Sequence, residues 1–105
     1  MQPVDKNNFE QEVLGSRQPV LVDFWSPNCE KCIKLMPALQ ELEQRYHDKI
    51  KFVKVDVSKN RRLAIAQKVR NLPAIHLYRN GERVDAVNDQ VTGEAVESTI
   101  KQVLH

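Results

Sequence analysis

The chain has 105 residues and a formal net charge of +2, with 16 Lys and Arg against 14 Asp and Glu side chains. Its 41% hydrophobic and 29% charged residues exclude an intrinsically disordered chain, and its balanced charge gives no argument for nucleic-acid binding. No apolar run approaches the roughly 20 residues of a membrane-spanning helix, and no signal-peptide pattern follows Met1. We therefore expect one cytoplasmic domain over residues 1–105, with no membrane partner.

The first half of the chain predicts a helix, a strand and a longer helix. Apolar residues at helical spacing indicate a helix over 7–14. The near-continuous apolar run at 20–25 is typical of a strand covered on both faces, as in a parallel sheet. A long helical pattern then begins at 29 and ends near 46, and Pro37 inside it predicts a kink.

The next segment predicts a strand followed by a short basic helix. Apolar and polar residues alternate over 51–57, which indicates a strand. Ser58 can cap a helix that runs to about Val69. The inner face of that helix is predicted to be Leu63, Ala66 and Val69.

The last third predicts an antiparallel hairpin and a terminal helix. Asn80-Gly81 is a strong turn signal and joins a strand over 74–78 to a second strand over 82–87. A helix follows Thr92-Gly93 to the end of the chain. The complete order predicts an α/β fold with a mixed central sheet, in which parallel β-α-β units precede a C-terminal antiparallel hairpin, and helices on both faces.

The chemistry-bearing feature is a C-x-x-C pair, Cys29 and Cys32, directly after the buried strand. Cys29 falls at the start of a helix, where unpaired N–H groups and the helix dipole favour a thiolate. It is the expected nucleophile, and Cys32, one turn further, is the expected resolving thiol. Lys31 and Lys34 favour the thiolate and Glu30 opposes it, which leaves the net sign open.

Two other interpretations of the pair remain. The cysteines could be small core residues, or they could be half of a zinc site. Zinc usually takes four ligands, and the chain has no other cysteine; His47, His76 and His105 are not spaced as a partner pair. The pattern and its context favour redox chemistry.

Several segments, in the same order and over essentially the whole chain, resemble the thioredoxin family. They are VDFWSPNCEKC at 22–32 with Pro37, then Leu-Pro at 72–73, Tyr-Arg-Asn-Gly-Glu at 78–82 and Thr-Gly at 92–93. The resemblance implies a thioredoxin fold and a thiol–disulfide oxidoreductase of electron transport and cell redox homeostasis. Such a protein exchanges its Cys29–Cys32 disulfide with protein disulfides and receives electrons from a disulfide reductase. We expect a monomer with no cofactor and no metal.

The resemblance also implies roles for two charged residues. Asp23 would be the proton acceptor for Cys32, and burial in an apolar strand should raise the pKa of its carboxyl group. Lys54, on the neighbouring strand, matches the lysine that the family pairs with this carboxylate. The alternative is a buried structural carboxylate paired with Lys54, and the two readings are compatible.

A substrate surface is implied around Pro73, which matches the cis-proline that faces the disulfide in the family. The backbone of Leu72 would pair there with an extended substrate. Trp25 is alternatively a core residue, since a half-buried tryptophan packs well in any fold. The residues that would complete the surface are Trp25, Asn28, Thr92 and Gly93.

The motif itself departs from the family pattern. Where the family has Trp-Cys-Gly-Pro-Cys-Lys, this chain has Asn-Cys-Glu-Lys-Cys-Ile at 28–33. The departures bear on the reduction potential and on recognition by a thioredoxin reductase, and not on dithiol chemistry. We expect a potential roughly 0–60 mV above the family's reference value of about −270 mV.

Three further features have less specific interpretations. His76 is expected to be a fully hydrogen-bonded sheet histidine. The helix after Ser58 is basic and is expected to be a solvated face that could steer an acidic partner protein, with no interleaved aromatic residues to suggest nucleic acid. Its cations are Lys59, Arg61, Arg62, Lys68 and Arg70.

Two alternative functions stand beside the oxidoreductase. One is a thioredoxin-fold adaptor that holds a partner in the Pro73 groove, with incidental or regulatory cysteines. Asp23 and Lys54 argue against it, because a pure adaptor needs no proton relay. The other is a metal module in which two chains share one ion through four cysteines.

Overall fold

The computed structural model describes all 105 residues of the chain. Its strands are Gln2–Pro3 (β1), Val20–Trp25 (β2), Lys51–Asp56 (β3), Ala74–Arg79 (β4) and Glu82–Val87 (β5). Its helical elements are a π-helical turn at Glu10–Leu14 and the α-helices Glu30–Tyr46 (α1), Arg61–Ala66 (α2) and Gly93–Leu104 (α3). None of these helices has the length and hydropathy required to span a lipid bilayer.

The strands form one mixed sheet in the order β1-β3-β2-β4-β5. β3 runs parallel to both β1 and β2, whereas β4 is antiparallel to β2 and β5 is antiparallel to β4. The apolar run of β2 is central, with a hydrogen-bonded neighbour on each side, which confirms the expected mixed α/β architecture. β1 was not predicted, because a two-residue strand carries no periodic pattern.

The core consists of two hydrophobic clusters, one on each face of the sheet. Since side chains alternate along a strand, Leu21 points into the first cluster and Val22 into the second. α1 and α3 cover the first face, and the π-helical turn contributes Val13 to the second. The expected helices on both faces are therefore present.

The first predicted helix is shorter and wider than expected. Only Glu10–Leu14 of the expected 7–14 segment is helical after Phe9, and the Gly15 N–H donates to the Glu10 carbonyl at 2.8 Å. This i→i+5 bond defines a π-turn. The turn places Phe9 and Val13 together against the second cluster. Apolar spacing located the element, but it could not distinguish a π-turn from an α-helix.

α2 begins later than predicted, and the expected Ser58 cap is wrong. The Ser58 hydroxyl donates to the Asp56 carboxylate at 2.6 Å, and Asn60 occupies the N-cap position. The buried Asn60 amide donates to the Asp56 carbonyl at 2.8 Å and accepts from the Lys6 N–H at 2.9 Å. A long-range contact with Lys6 therefore helps to set where α2 begins.

α2 also ends earlier than the predicted Val69. It ends at Ala66, and Lys68 has a positive φ of 63°. Ala64 is the buried residue of the helix, whereas the predicted inner residue Ala66 is exposed. Leu63 packs against the second cluster and Ala64 is buried, so the inner face of the shorter helix is Leu63 and Ala64 rather than Leu63 and Ala66.

The predicted hairpin turn and the single helix through Pro37 are confirmed, whereas the kink at Pro37 stays a prediction. Asn80 and Gly81 both have positive φ, at 56° and 81°, as a tight hairpin turn between β4 and β5 requires. α1 continues through Pro37 as one helix. Thr92 caps α3, since its hydroxyl accepts from the Ala95 N–H at 3.1 Å.

Candidate active site

The two cysteines lie where β2 gives way to α1. Cys29 is the N-cap residue of α1, with extended backbone angles of φ −93° and ψ 102°. Its Sγ accepts a hydrogen bond from the Cys32 backbone N–H at 3.1 Å, and its carbonyl accepts from the Ile33 N–H at 3.1 Å. The sulfur of Cys29 therefore occupies the position of a capping oxygen at the positive end of the helix dipole.

The sulfurs of Cys29 and Cys32 are joined, and the chain has no free cysteine. Their Cα atoms are 5.2 Å apart, within the usual range for a disulfide. Cys32 is 1% exposed, whereas Cys29 is partly exposed. Of the two cysteines, Cys29 is therefore the one that solvent reaches.

Asp23 lies on β2 as a buried carboxyl without hydrogen bonds. Its exposed fraction is 1%, and neither of its carboxylate oxygens has a partner. Two residues after Leu21, it faces the same side of the sheet as α1 and Cys32. Burial raises the pKa of Asp23 to about 7, against a weaker lowering by the charge of Lys54. This carboxyl can accept and release a proton near neutral pH.

Lys54 is opposite Asp23 in the parallel β2–β3 register. Its Nζ lies 5.5 Å from the centre of the Trp25 ring, a cation–π arrangement. The Lys54 ammonium and the Asp23 carboxyl form no close ion pair. The lysine therefore acts on Asp23 through its field and not through a contact.

A groove of about 630 Å³ borders the start of α1 at Lys31, the residue before Cys32, although neither cysteine lines it. Its walls are Lys31, Lys34 and Leu35 of α1, the segment 71–73 and the loop 88–92. The Leu72–Pro73 peptide bond is cis, and Pro73 is buried. The groove brings together Leu72, Pro73 and Thr92, three of the residues implied by the resemblance.

The other implied surface residues lie outside this groove. Trp25 and Lys54 line a separate cleft of about 350 Å³. Asn28 is exposed next to Cys29. Gly93 starts α3 against α1, where an added Cβ would lie 3.1 Å from the Ala38 Cβ. The structure thus gives Gly93 a packing reason that the sequence did not indicate.

The charges of Glu30 and Lys34 do not act independently on the cysteines, contrary to the expectation from the sequence. Lys34 Nζ and Glu30 Oε1 form an ion pair at 3.1 Å, with both side chains at least 75% exposed. Lys31 is exposed and belongs to no ion pair of the structure. Because Glu30 and Lys34 largely offset each other, Lys31 is the uncompensated charge near the sulfurs.

Sequence reasoning missed part of the groove. The loop 88–91 forms one wall together with Thr92, and its only sequence signal is a short polar run between β5 and α3.

Ile33, directly after Cys32, is 49% exposed, which is unusual for a large apolar side chain beside a reactive site.

His76 differs from the expected fully hydrogen-bonded histidine. It is fully buried in the face of the sheet opposite α1; its Nδ1 lies 3.3 Å from the Tyr78 hydroxyl and its Nε2 has no partner. The Tyr78 hydroxyl donates to the Gln67 side chain at 2.6 Å. Burial, and to a lesser extent the charge of Arg83, lowers the pKa of His76 to about 4, so the ring is neutral at pH 7.

The structure contains no group of three or more His, Cys, Asp and Glu side chains arranged to hold a metal ion. The two cysteines are bonded to each other. Within one chain, the cysteine pair is thus arranged for dithiol–disulfide exchange.

Comparison with known proteins agrees with this geometry. The family model described as thioredoxin matches residues 1–102. The chain is 44% identical over 102 residues to thioredoxin of Acetoanaerobium sticklandii, covering 96% of this chain and 97% of that protein. It is 43% identical over 98 residues to thioredoxin of Peptoclostridium acidaminophilum, covering 92% and 89%. It is 39% identical over 101 residues to thioredoxin 1 of a Nostoc species, covering 96% and 91%.

Proposed function

The chain belongs to the thioredoxin family and is a thiol–disulfide oxidoreductase, and we propose that it reduces protein disulfides with Cys29 as the attacking thiol and Cys32 as the resolving thiol. The observation that carries this assignment is the difference in exposure: Cys29 caps α1 at the surface, while Cys32 is 1% exposed. The proposal takes residues 1–105 as a single domain.

In the proposed reaction the Cys29 thiolate attacks one sulfur of a substrate disulfide. The substrate S–S bond breaks, its other sulfur leaves as a thiolate, and a mixed disulfide with Cys29 forms. Cys32 then loses its proton and attacks Cys29 Sγ, which releases the second substrate thiolate. The substrate gains two electrons, and the protein is left with the Cys29–Cys32 disulfide.

Asp23 is proposed to take the proton of Cys32 in the second step. Its support is a buried carboxyl on the α1 side of the sheet, with no hydrogen bond and a pKa of about 7. A general base works best when its pKa lies near the working pH, and a pKa of about 7 meets this condition at neutral pH. Lys54 is proposed to tune it, because its positive charge favours the carboxylate.

The substrate is proposed to lie as an extended segment in the groove beside cis-Pro73, paired to the backbone of Leu72. Thr92 would border the segment on the loop side, and Trp25 and Asn28 would contact the substrate on the other side of the disulfide. Gly93 would contribute through the start of α3 rather than by contact.

The remaining parts of the proposal concern the cellular setting. The electron donor is a disulfide reductase, and the protein acts as a monomer in electron transport and redox homeostasis. A dithiol that must be restored after each turnover needs a reducing compartment, which supports a cytoplasmic location.

Insulin reduction with dithiothreitol as electron source tests the assignment. We expect Cys29→Ser to abolish activity and Cys32→Ser to accumulate mixed disulfides, because attack survives and resolution does not. Limiting iodoacetamide should modify Cys29 first in the reduced protein. Faster modification of Cys32 would reverse the two roles, and a wild-type protein that binds but does not reduce insulin would favour an adaptor.

A further inference from the structure

Charge is distributed unevenly along this chain. Residues 57–73 contain five cations and no acid, so the rest of the chain has 11 cations against 14 acids. A chain of net charge +2 therefore combines a segment of +5 with a remainder of −3. The cationic segment comprises α2 and the connection that leads to cis-Pro73.

The folded chain brings four of these five cations, together with Lys6 and Arg83, into two clefts, one at each end of α2. The first, of about 300 Å³, is lined by four cations and no acid: Lys6, Lys59, Arg61 and Arg62. The second, of about 260 Å³, has Lys68 and Arg83 and again no acid. We call these six residues the cationic face.

The cations of this face are exposed, and none takes part in an ion pair. The acids next to these cations in the sequence, Asp5, Asp56 and Glu82, form no ion pair with them. Asp56 accepts from Ser58, and Asp5 accepts from the Asn7 N–H at 2.8 Å. No close ion pair within the molecule therefore offsets the positive charge of the face.

The scaffold under the face is held in place. Asn60 ties the start of α2 to the N-terminal segment through Lys6, and Gln67 accepts from the buried Tyr78 hydroxyl just after the helix ends. A partner that binds here does not have to order the helix first, which lowers the entropic cost of association.

The face adjoins the redox site. Lys59 and Asn60 line the four-cation cleft and also the cleft that contains Trp25 and Lys54. At the other end, residues 67–71 connect α2 to the cis Leu72–Pro73 step of the substrate groove. A molecule held on the face would have its neighbouring parts close to the Trp25 cleft and to the groove at Pro73.

We propose that the cationic face is a docking surface for an acidic segment of the protein with which Cys29–Cys32 exchanges electrons. This inference rests on the proposed function and names a partner class for it. Carboxylates of the partner would pair with Arg61 and Arg62, and the attraction would steer its disulfide toward Cys29. Steering of this kind raises association rates by about 10- to 1000-fold at low salt.

The observations favour a protein over the other anionic partners. Exposed aromatic side chains, on which single-stranded nucleic acid stacks, are absent from the face. α2 has six residues and exposes one large apolar side chain, Ile65, at 74%. A membrane-surface helix needs a much larger apolar face.

The test uses two peptides that are identical around one disulfide and end, after a 12-residue Gly-Ser linker, in six glutamates or six glutamines. The linker spans roughly 20 Å, which is comparable with the 32 × 28 × 20 Å extents of the molecule. We expect the wild type at low salt to reduce the glutamate peptide with a kcat/KM about tenfold higher. Salt should abolish the difference, since the screening length falls from about 30 Å at 0.01 M to 8 Å at 0.15 M and 3 Å at 1 M.

Charge reversal gives the matched variants. Arg61→Glu with Arg62→Glu should remove the preference and leave reduction of the glutamine peptide unchanged; acids in a first helical turn are well tolerated. Arg17→Glu with Lys49→Glu makes the same charge change at exposed positions outside both clefts and should retain the preference.

Equal kcat/KM for the two peptides in the wild type would overturn the docking inference while leaving the proposed function intact. Equal loss in both double variants would also overturn it, because net charge alone would then explain the preference. Failure to reduce either peptide would instead contradict the proposed function. Binding to phosphatidylserine vesicles or to a 20-nucleotide oligouridylate, without any glutamate preference, would reassign the face to those partners.

Discussion

Asp23 and Lys54 lie opposite each other on neighbouring parallel strands, yet their side chains form no ion pair. The lysine ammonium lies over the Trp25 ring, and both Asp23 oxygens are buried without hydrogen bonds. Burial is therefore the main influence on the carboxyl and raises its pKa to about 7. A close ion pair would instead hold the carboxyl ionised at neutral pH and weaken it as a base.

Asp23→Asn should make the oxidised protein more stable at pH 8 while slowing resolution of the mixed disulfide. The pKa of Asp23 is about 7 in the fold against 3.8 for the free side chain. The folded state thus keeps the Asp23 proton to a higher pH than the unfolded chain does. The free energy of unfolding therefore falls by roughly 4 kcal/mol as pH rises from about 4 to 7. Urea unfolding at pH 4, 6 and 8 measures this. A stability difference between variant and wild type that is the same at pH 4 and pH 8 would contradict it.

Lys54→Met should raise the pKa of Asp23 further, because the lysine charge favours the carboxylate. The pH at which mixed-disulfide resolution reaches half its maximum should move upward. In an Asp23→Asn background the same substitution should produce no such shift, and Lys49→Met serves as an exposed control. A shift that persists without Asp23 would show that Lys54 acts on the cysteines directly.

His76→Leu should improve stability in acid. The pKa of His76 is about 4 in the fold against 6.5 for the free side chain, so the unfolded chain takes up a proton first as pH falls. The free energy of unfolding should therefore drop between about pH 6.5 and 4, by roughly 3 kcal/mol, and this loss should vanish in the variant. The exposed His47→Gln is the control. Unfolding curves that respond to acid equally with and without His76 would refute the assignment.

The reduction potential should respond to Lys31 and Glu30 in opposite directions. Glu30→Gln removes an anion and frees Lys34, which stabilises the Cys29 thiolate and should raise the potential. Glu30→Gly with Lys31→Pro frees Lys34 as it removes Lys31, so the net charge near the sulfurs is unchanged. The double variant should still lower the potential toward the family's reference value of about −270 mV, because it restores the Gly-Pro dipeptide that the family resemblance associates with reducing thioredoxins. Because these side chains are exposed, each shift should stay within about 30 mV, the equivalent of 1.4 kcal/mol for two electrons.

Equilibration with a glutathione or dithiothreitol buffer measures these potentials. We expect the wild type roughly 0–60 mV above the family's reference value. A wild-type potential clearly below about −270 mV would show that something other than the two rim charges determines it.

Elements that depend on neighbours along the chain could be predicted from local sequence alone. The apolar run of β2 predicted burial on both faces, and Asn80-Gly81 predicted a tight hairpin turn. The position of Cys29 directly before a helical pattern predicted a sulfur at the N-terminus of α1. Each of these follows from backbone geometry or side-chain periodicity within a few residues, which is why the fold class and the cysteine pair could be predicted.

Relationships between distant segments emerge only in the folded molecule. The start of α2 depends on the Asn60 contact with Lys6, 54 residues away, and Gly93 is explained by the close approach of Ala38. The strand register places Lys54 opposite Asp23, but the lysine ammonium lies over the Trp25 ring. Packing around His76 leaves its Nε2 without a hydrogen-bond partner. Such outcomes depend on which side chains compete for the same buried space, and no local pattern in the sequence contains that information.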